Sequence, residues 1–311
     1  MSIIIERTSD GIRNLEQQTQ QPRPQSNYLP REQSADRHVV IPDIHGEHKV
    51  LQRIIDSYEN EADIDFVFLG DILDRKGKPG GDPERGVFKS LDLIKELGNR
   101  AILTMANHEW FFHASSFADD PIFRQSVTKE WLGNHANSAM EQNVLSSYGL
   151  DPNIRTDTTS KQLRRRMVKA AHLGILTNAS PFYETDSFIA THAGIMPGVP
   201  WDMQKNYLLE VAKEMDEGLF YDRPPQWFSM KLATSTEPIT HTHKTVVSGH
   251  AHVLGQSSKR YPDQSKDRVL HNGKRIRLAS TLNAPTNAAA YVWQDWDKRI
   301  VEVPTDNETS H

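Results

Sequence analysis

The chain has 311 residues, of which 37% are hydrophobic, and this is enough for one domain with a hydrophobic core. Its net charge of −5 gives no general attraction to nucleic acid or to an anionic membrane surface. Cysteine is absent, so disulfides, thiolate metal ligands and cysteine nucleophiles are excluded. No apolar segment has the length of a signal peptide or approaches the roughly 18 residues of a membrane span. We therefore expect a cytoplasmic protein without a membrane partner and without general nucleic-acid binding.

The chain divides into a polar arm, a folded domain and a polar tail. Residues 1–37 are rich in Gln, Arg, Ser, Asn and Pro, a composition that buries too little apolar surface to order itself. The folded domain is expected over 38–304, and 305–311 form the C-terminal tail. Within the domain, 110–172 contains many helix formers, several aromatic residues and no clear strand. This part is predicted to be a helical insertion.

Short apolar runs alternate with helical patterns in the first part of the domain. Strands are expected at 37–41, 65–69 and 100–105, where β-branched and aromatic residues cluster. Helices are expected at 48–58 and 87–97, because apolar residues recur there every three or four positions. Strands that alternate with helices favour parallel pairing through right-handed crossovers.

Strands are also expected in the second half of the chain. The runs 188–191 and 245–248 are each followed by a histidine-containing cluster. Asn272-Gly273 is a strong signal for a two-residue hairpin turn. The last two apolar runs, 289–293 and 299–303, can form a final hairpin. Antiparallel structure is therefore expected near the C-terminus.

Polar clusters follow five of the predicted strands. The carboxyl ends of strands in an α/β sheet face one crevice, so the side chains of these clusters are expected to converge. Carboxylate, amide and imidazole ligands without thiolates suit Mn²⁺, Fe or Zn²⁺ in a hydrolytic centre. The set is large enough for two ions, and a shared carboxylate can bridge them. The cluster residues are Asp43 with His45, Asp71 as the natural bridge, Asn107, His192, and His250 with His252.

Five motifs occur in a fixed order along the chain. They are Asp-x-His-Gly at 43–46, Gly-Asp-x-x-Asp-Arg at 70–75, Asn-His-Glu at 107–109, His-Ala-Gly at 192–194 and Gly-His at 249–250. This series resembles the calcineurin-like metallophosphoesterases, and most closely their phosphoprotein phosphatase branch. That branch also includes bacterial and phage Ser/Thr phosphatases and symmetrical dinucleoside tetraphosphatases. The resemblance implies an α/β fold in which two mixed β-sheets pack as a sandwich flanked by helices, with a dinuclear metal centre at the strand ends.

The resemblance also implies metal ligands. The second histidine of a Gly-His-x-His motif, which is His252 in this chain, is a ligand in many calcineurin-like proteins. The protein phosphatase branch often lacks it, so the role of His252 stays open. The first ion is assigned to Asp43, His45 and Asp71, with His252 as a further ligand, and the second ion to Asp71, Asn107, His192 and His250.

The remaining motif residues are assigned to catalysis by the same resemblance. His108 is the proton donor to the leaving oxygen, and Asp74 orients it. A leaving alkoxide is a poor group unless it is protonated, and a positioned imidazolium contributes on the order of 10² to 10⁴ in rate. Arg75 is assigned as the phosphate clamp, with Arg223 as the candidate for a second phosphate-binding arginine. An alternative alignment treats 76–85 as an inserted loop and lets Arg85 take the place of Arg75.

The motifs together indicate a dimetal-dependent phosphoesterase. Its expected activity is hydrolysis of phosphomonoesters as a Ser/Thr protein phosphatase with two divalent ions, Mn²⁺ first among them. The alternative is a symmetrical bis(5'-nucleosyl)-tetraphosphatase, so the partner is a phosphorylated protein or a nucleotide. Two other hypotheses remain, a nuclease or cyclic phosphodiesterase, which His252 permits, and an inactive metal-binding scaffold. Asp74 and Arg75 argue against the nuclease or cyclic phosphodiesterase, and His108, Asp74 and Arg75 argue against the scaffold.

Two further features of the sequence bear on the site and the surface. Pro42 and Ala106 stand where the family usually has glycine, so both positions must accept negative φ. The basic stretch from Lys161 to Lys169 lacks the interleaved aromatic residues of a nucleic-acid-binding patch. It is therefore predicted to be a solvated helix face.

Overall fold

A computed structural model describes most of the predicted domain. The described residues are 35–74, 84–134, 141–151, 154, 156–220, 228, 230–233, 235–250, 269–278 and 290–303. The predicted C-terminal tail and nearly all of the predicted N-terminal arm lie outside them. Arg75, Arg223 and His252 lie outside them as well.

The first sheet has five strands in the order β10-β9-β1-β2-β3. Strands β1, β2 and β3 pair in parallel, whereas β9 is antiparallel to both β1 and β10. The sheet is therefore mixed. The strands are β1 (Arg37–Ile41), β2 (Ile64–Phe68), β3 (Ala101–Leu103), β9 (Ala290–Gln294) and β10 (Arg299–Val303).

The second sheet also has five strands, in the order β4-β5-β6-β8-β7. Strands β5, β6 and β8 are parallel, and β4 and β7 pair antiparallel at the edges. Asn272 and Gly273 both have positive φ between β7 and β8, as the predicted hairpin turn requires. The strands are β4 (Tyr183–Glu184), β5 (Phe188–Thr191), β6 (Thr245–Ser248), β7 (Val269–Leu270) and β8 (Arg275–Arg277).

Helices cover the sheets and form most of the described part of 110–172, where no strand is present. A 3₁₀ turn covers Gly98–Arg100, and a π-helical turn covers Glu130–Asn134. The helices are α1 (His48–Asp56), α2 (Gly86–Leu97), α3 (Asn107–Phe117), α4 (Pro121–Lys129), α5 (Glu141–Ser147), α6 (Asp157–Lys169), α7 (Leu173–Thr177), α8 (Trp201–Asp216) and α9 (Met230–Ala233). None of the described helices is long and apolar enough to cross a membrane.

The two sheets pack face to face because successive side chains of a strand point to opposite faces. In β1, Val39 and Ile41 belong to the core shared with the helices, whereas Val40 packs in a separate cluster between the sheets. Phe188 and Val247 of the second sheet belong to that same cluster. The predicted architecture, two mixed sheets as a sandwich flanked by helices, is confirmed.

Some elements differ from the sequence prediction. Strand β3 ends at Leu103 rather than near residue 105, because Met105 donates its backbone N–H to the carbonyl of Ser180 at 2.7 Å. Helix α8 was not predicted, although Trp201, Leu208 and Met215 are buried on one face at spacings of seven. The parallel pairing of β8 with β6 was also missed, because local alternation indicates only the hairpin with β7.

Candidate metal centre

The side chains that follow the parallel strands of both sheets converge at one place. Two sets of acceptor atoms lie there, and the atoms of each set are within 4.8 Å of one another. The first ligand group is His45, Asp71 and His108, and the second ligand group is Asp71, His192 and His250. Asp71 belongs to both, which is the position that a bridging carboxylate needs.

Backbone carbonyls fix the orientation of one histidine in each group. Nδ1 of His45 lies 2.9 Å from the carbonyl of Asp74, and Nδ1 of His192 lies 2.7 Å from the carbonyl of Leu69. A carbonyl only accepts, so each Nδ1 carries the proton and each Nε2 presents a lone pair. Histidine ligands of metals are commonly held in this way.

The lone pair of His192 faces other polar side-chain atoms. Its Nε2 lies 2.9 Å from Oδ1 of Asn107, 2.7 Å from Nδ1 of His250 and 3.5 Å from Oδ2 of Asp71. In the first group, Nε2 of His45 lies 3.6 Å from the same Asp71 oxygen. Carboxylate, amide and imidazole atoms at such short separations can share a cation, so this ligand set fits divalent ions.

Electrostatics support the same conclusion. Burial raises the pKa of Asp71 well above its usual value, and repulsion from Asp43 and Glu109 raises this pKa further. Burial also lowers the pKa of His192 to about 3, so this imidazole is neutral and able to act as a ligand. A bound divalent cation reverses the first effect, because it favours the ionised carboxylate.

Asp43 lies beside these groups and is tied to the second sheet. Its Oδ1 accepts the backbone N–H of His250 at 3.0 Å and is 3.9 Å from Nδ1 of His192. A Cβ on Gly249 would come within 2.5 Å of that oxygen, so only glycine leaves room for it. The predicted first-ion ligand is therefore brought to the site, with one oxygen already hydrogen-bonded.

His108 is held by a buried carboxylate. Its Nδ1 lies 2.7 Å from Oδ2 of Asp74, and its Nε2 lies 4.0 Å from Oδ2 of Asp71. Burial raises the pKa of Asp74 to about 7, and the indole N–H of Trp131, which donates to Oδ2 at 3.1 Å, lowers it. The predicted pairing of Asp74 with His108 is present, and Trp131 is a partner that sequence reasoning missed.

Glu109 is a second residue whose role the sequence did not reveal. Its carboxylate is fully buried and accepts the backbone N–H groups of Asp71, Ile72 and Leu73 at 2.8, 3.0 and 3.1 Å. Burial raises the pKa of Glu109 to about 7, although these three donors lower it. Its position in the Asn-His-Glu motif was the available signal. Glu109 fixes the loop that presents Asp71.

Several site residues have left-handed backbone conformations. The φ angles are 45° for His45, 49° for Asp71, 63° for Asp74 and 62° for His250. Such conformations are uncommon outside glycine and cluster at functional sites. The side chains are thus aimed into the centre at a cost in backbone energy.

The substitution of glycine by Ala106 is accommodated without such strain. Its φ is −126°, the negative value that the sequence analysis required. A Cβ on Gly70 would come within 2.4 Å of the Ala106 methyl group, so the methyl occupies space that Gly70 leaves free.

Arg85, the alternative phosphate clamp, is engaged elsewhere. Its Nε donates to the carbonyl of Ser147 at 3.0 Å, and its guanidinium lies 3.9 Å from the ring centroid of Phe88. Three other predicted site residues lie outside the described part of the chain, namely Arg75, Arg223 and His252.

Comparisons with known proteins agree with the motif series. The chain is similar to a solved structure of a candidate diadenosine tetraphosphatase, with 16% identity, coverage of 90% of this chain and 97% of that one, and a TM-score of 0.45. It is also similar to a protein serine/threonine phosphatase from Saccharomyces cerevisiae with similarity to human phosphatase PP5. Here the identity is 12%, the coverage 88% and 81%, and the TM-score 0.41. Both similarities are too weak to indicate a substrate, and no curated protein matches. A family model, calcineurin-like phosphoesterase, matches residues 37–273, and the chain therefore belongs to the calcineurin-like phosphoesterase family.

Proposed function

We propose that the chain is a dimetal-dependent phosphoesterase that hydrolyses phosphomonoesters, with phosphoserine and phosphothreonine residues of proteins as its substrates. One observation carries the proposal. His108, which a buried carboxylate holds at 2.7 Å, is a member of the first ligand group, and that group shares Asp71 with the second. A proton donor next to a cation site is what cleavage of a phosphate ester requires.

The acceptor atoms suggest how two ions would be held. Bound there, divalent ions lower the pKa of water and offset the charge of a phosphoryl group. Mn²⁺ suits the mixture of carboxylate, amide and imidazole ligands. Asp43, His45 and Asp71 would hold one ion, and Asp71, Asn107, His192 and His250 the other.

The residues around His108 organise proton transfer. Asp74 accepts from Nδ1, so Nε2 is the ring nitrogen that faces the ligand groups and can give its proton to a leaving oxygen. The side chain of His108 is 15% exposed, whereas that of Asp74 is fully buried. A substrate can therefore reach the donor but not the residue that orients it.

Arg75 completes the proposal as the phosphate clamp. It follows Asp74 directly in the chain, and the planar guanidinium can bind two phosphoryl oxygens at once. Arg85 is the weaker candidate, because its guanidinium packs on Phe88 and donates to Ser147.

Initial rates on a chromogenic aryl phosphate test the chemistry. The full chain with Mn²⁺ should hydrolyse it, EDTA should abolish the reaction, and Asp71→Asn should remove activity whereas Asp63→Asn, an exposed residue, should not. The proposal would be overturned if hydrolysis persisted in EDTA or if the Asp71→Asn variant kept the initial rate of the wild type. A panel of phosphopeptides, diadenosine tetraphosphate and a cyclic nucleotide then ranks the substrates. Faster hydrolysis of the tetraphosphate would replace the protein phosphatase assignment with the nucleotide one.

A further inference from the structure

A cavity of about 220 Å³ lies between the C-terminal end of α3 and helices α4 and α6. We call it the basic cavity. Its lining combines basic residues with serines, and none of the described residues that line it is acidic. They are Ser115, Ser116, Arg124, Ser160, Lys161, Arg164 and Arg165.

The positive charge of the basic cavity is concentrated by packing. Three of the cations come from the stretch that the sequence analysis predicted to be a solvated helix face, and Arg124 of α4 adds a fourth. Burial lowers the pKa of Arg164, and repulsion from Arg165 and Arg124 lowers it further. The stretch is therefore solvated only in part, because Arg164 is half-buried whereas Lys161 and Arg165 are exposed, and its charges lie close enough to repel one another.

Two of the arginines are fixed in position. Arg124 donates to the carbonyl of Ala118 at 2.6 Å, and Arg164 donates to the carbonyl of Ser116 at 3.2 Å. These carbonyls are neutral, so they orient the guanidinium groups without neutralising them. A guanidinium has five N–H donors, and most remain for another acceptor.

One serine of the lining has a buried hydroxyl group. The buried Oγ of Ser116 has no hydrogen-bond partner within the described part of the chain. Buried polar groups of folded proteins are nearly always paired, and an unpaired one calls for a ligand or water. Several cationic donors around one space suit a tetrahedral oxyanion.

We propose that the basic cavity is an anion site that binds one phosphate group, separate from the metal centre. Its volume is below the roughly 300 to 1,000 Å³ of pockets for drug-sized ligands, so its size suits a small anion such as a phosphate group. Ser115 follows Asn107 by eight residues on α3, a rise of about 12 Å along the helix axis. One phosphate cannot contact both places. The occupant is free inorganic phosphate or a second phosphate group on a substrate.

Isothermal titration of the full, Mn²⁺-loaded chain with inorganic phosphate tests the site. In a Lys161→Gln, Arg165→Gln double variant, binding to the basic cavity should weaken by about tenfold or more, since two charged contacts are lost. Both side chains are exposed on α6, so the fold should be retained, which circular dichroism checks. The matched control is a Lys169→Gln variant, because this residue is exposed on the same helix but does not line the cavity.

Two further measurements identify the source of the phosphate. Hydrolysis of a small aryl phosphate should be unchanged in the double variant. If KM rises for a doubly phosphorylated peptide but not for its singly phosphorylated form, the occupant is a substrate phosphate. If only the titration with inorganic phosphate changes, the occupant is the free ion. The proposal is wrong if the double variant binds phosphate as tightly as the Lys169→Gln variant.

Discussion

The two ligand groups of the metal centre share Asp71 but are supported differently. The second ligand group takes His192 and His250 from the second sheet, and Nε2 of His192 lies within 3.5 Å of both Nδ1 of His250 and Oδ2 of Asp71. The first ligand group depends on α3 and on Trp131 from the π-helical turn, which reaches Asp74. The second group is therefore suited to holding a cation, whereas the first also prepares a proton donor. Metal binding and proton transfer should be separable by mutation.

The largest expected effect tests that separation directly. His108→Asn should lower kcat by about 10² to 10⁴, because the leaving oxygen loses its proton donor. His192→Ala should also remove activity, but through loss of bound Mn²⁺. Elemental analysis of the purified proteins distinguishes the two, and loss of metal in His108→Asn would make His108 a ligand instead.

Glu109→Gln should affect both groups, because Glu109 holds the loop that carries Asp71. The carboxylate of Glu109 accepts hydrogen bonds from three backbone N–H groups, and the amide of glutamine would place its own N–H₂ group against one or more of these donors. We expect a loss of metal affinity of about 10- to 100-fold, as for other residues that orient ligands. Titration with Mn²⁺ measures it. Glu184→Gln, which changes a carboxylate that accepts from Trp201, is the control and should bind the metal normally.

Trp131→Phe should affect only the proton-donating side. Without the indole N–H, Asp74 orients His108 less firmly, and we expect a loss of about tenfold in kcat. The loss should be larger for phenyl phosphate than for an ester with a strongly acidic leaving group, because only the former needs protonation. Trp201→Phe is a matched control, since it removes an indole hydrogen bond of 2.8 Å to Glu184. A uniform loss for both esters would contradict the positioning role.

The smallest effect concerns the stability of α3, which carries Asn107 and His108. Burial lowers the pKa of His113 to about 4, although the carbonyl of Leu176 raises it. Between pH 6.5 and 4 the unfolded chain gains a proton here that the folded chain does not, so stability falls as the pH falls. The contribution is about 1.4 kcal/mol per pH unit. In urea unfolding with EDTA present, the free energy of unfolding should depend less steeply on pH for His113→Gln than for the wild type. Equal slopes for the two proteins would contradict this role of His113.

Residues at the carboxyl ends of strands were predictable from the sequence. Asp71, Asn107 and His192 each follow a short apolar run, and parallel strands bring such positions together. The pairing of Asp74 with His108 followed from the family resemblance. The first prediction needed only the direction of the strands, and the second needed the order of the motifs.

The supporting contacts were not predictable in the same way. Trp131 follows Asp74 by 57 residues, and an aromatic residue in a helical segment indicates burial rather than a particular partner. The basic cavity depends on how α4 and α6 pack against α3, so a helical pattern alone suggested a solvated face for Arg164, which is half-buried. Long-range packing decides both features.

The left-handed φ angles of Asp71 and His250 set the thermal stability of this protein against its chemistry. Each such non-glycine conformation costs on the order of 1 to 3 kcal/mol. Glycine would relieve that cost, so Asp71→Gly and His250→Gly could raise the melting temperature while destroying the centre. Selection for thermal tolerance alone would therefore favour chains that no longer perform their chemistry.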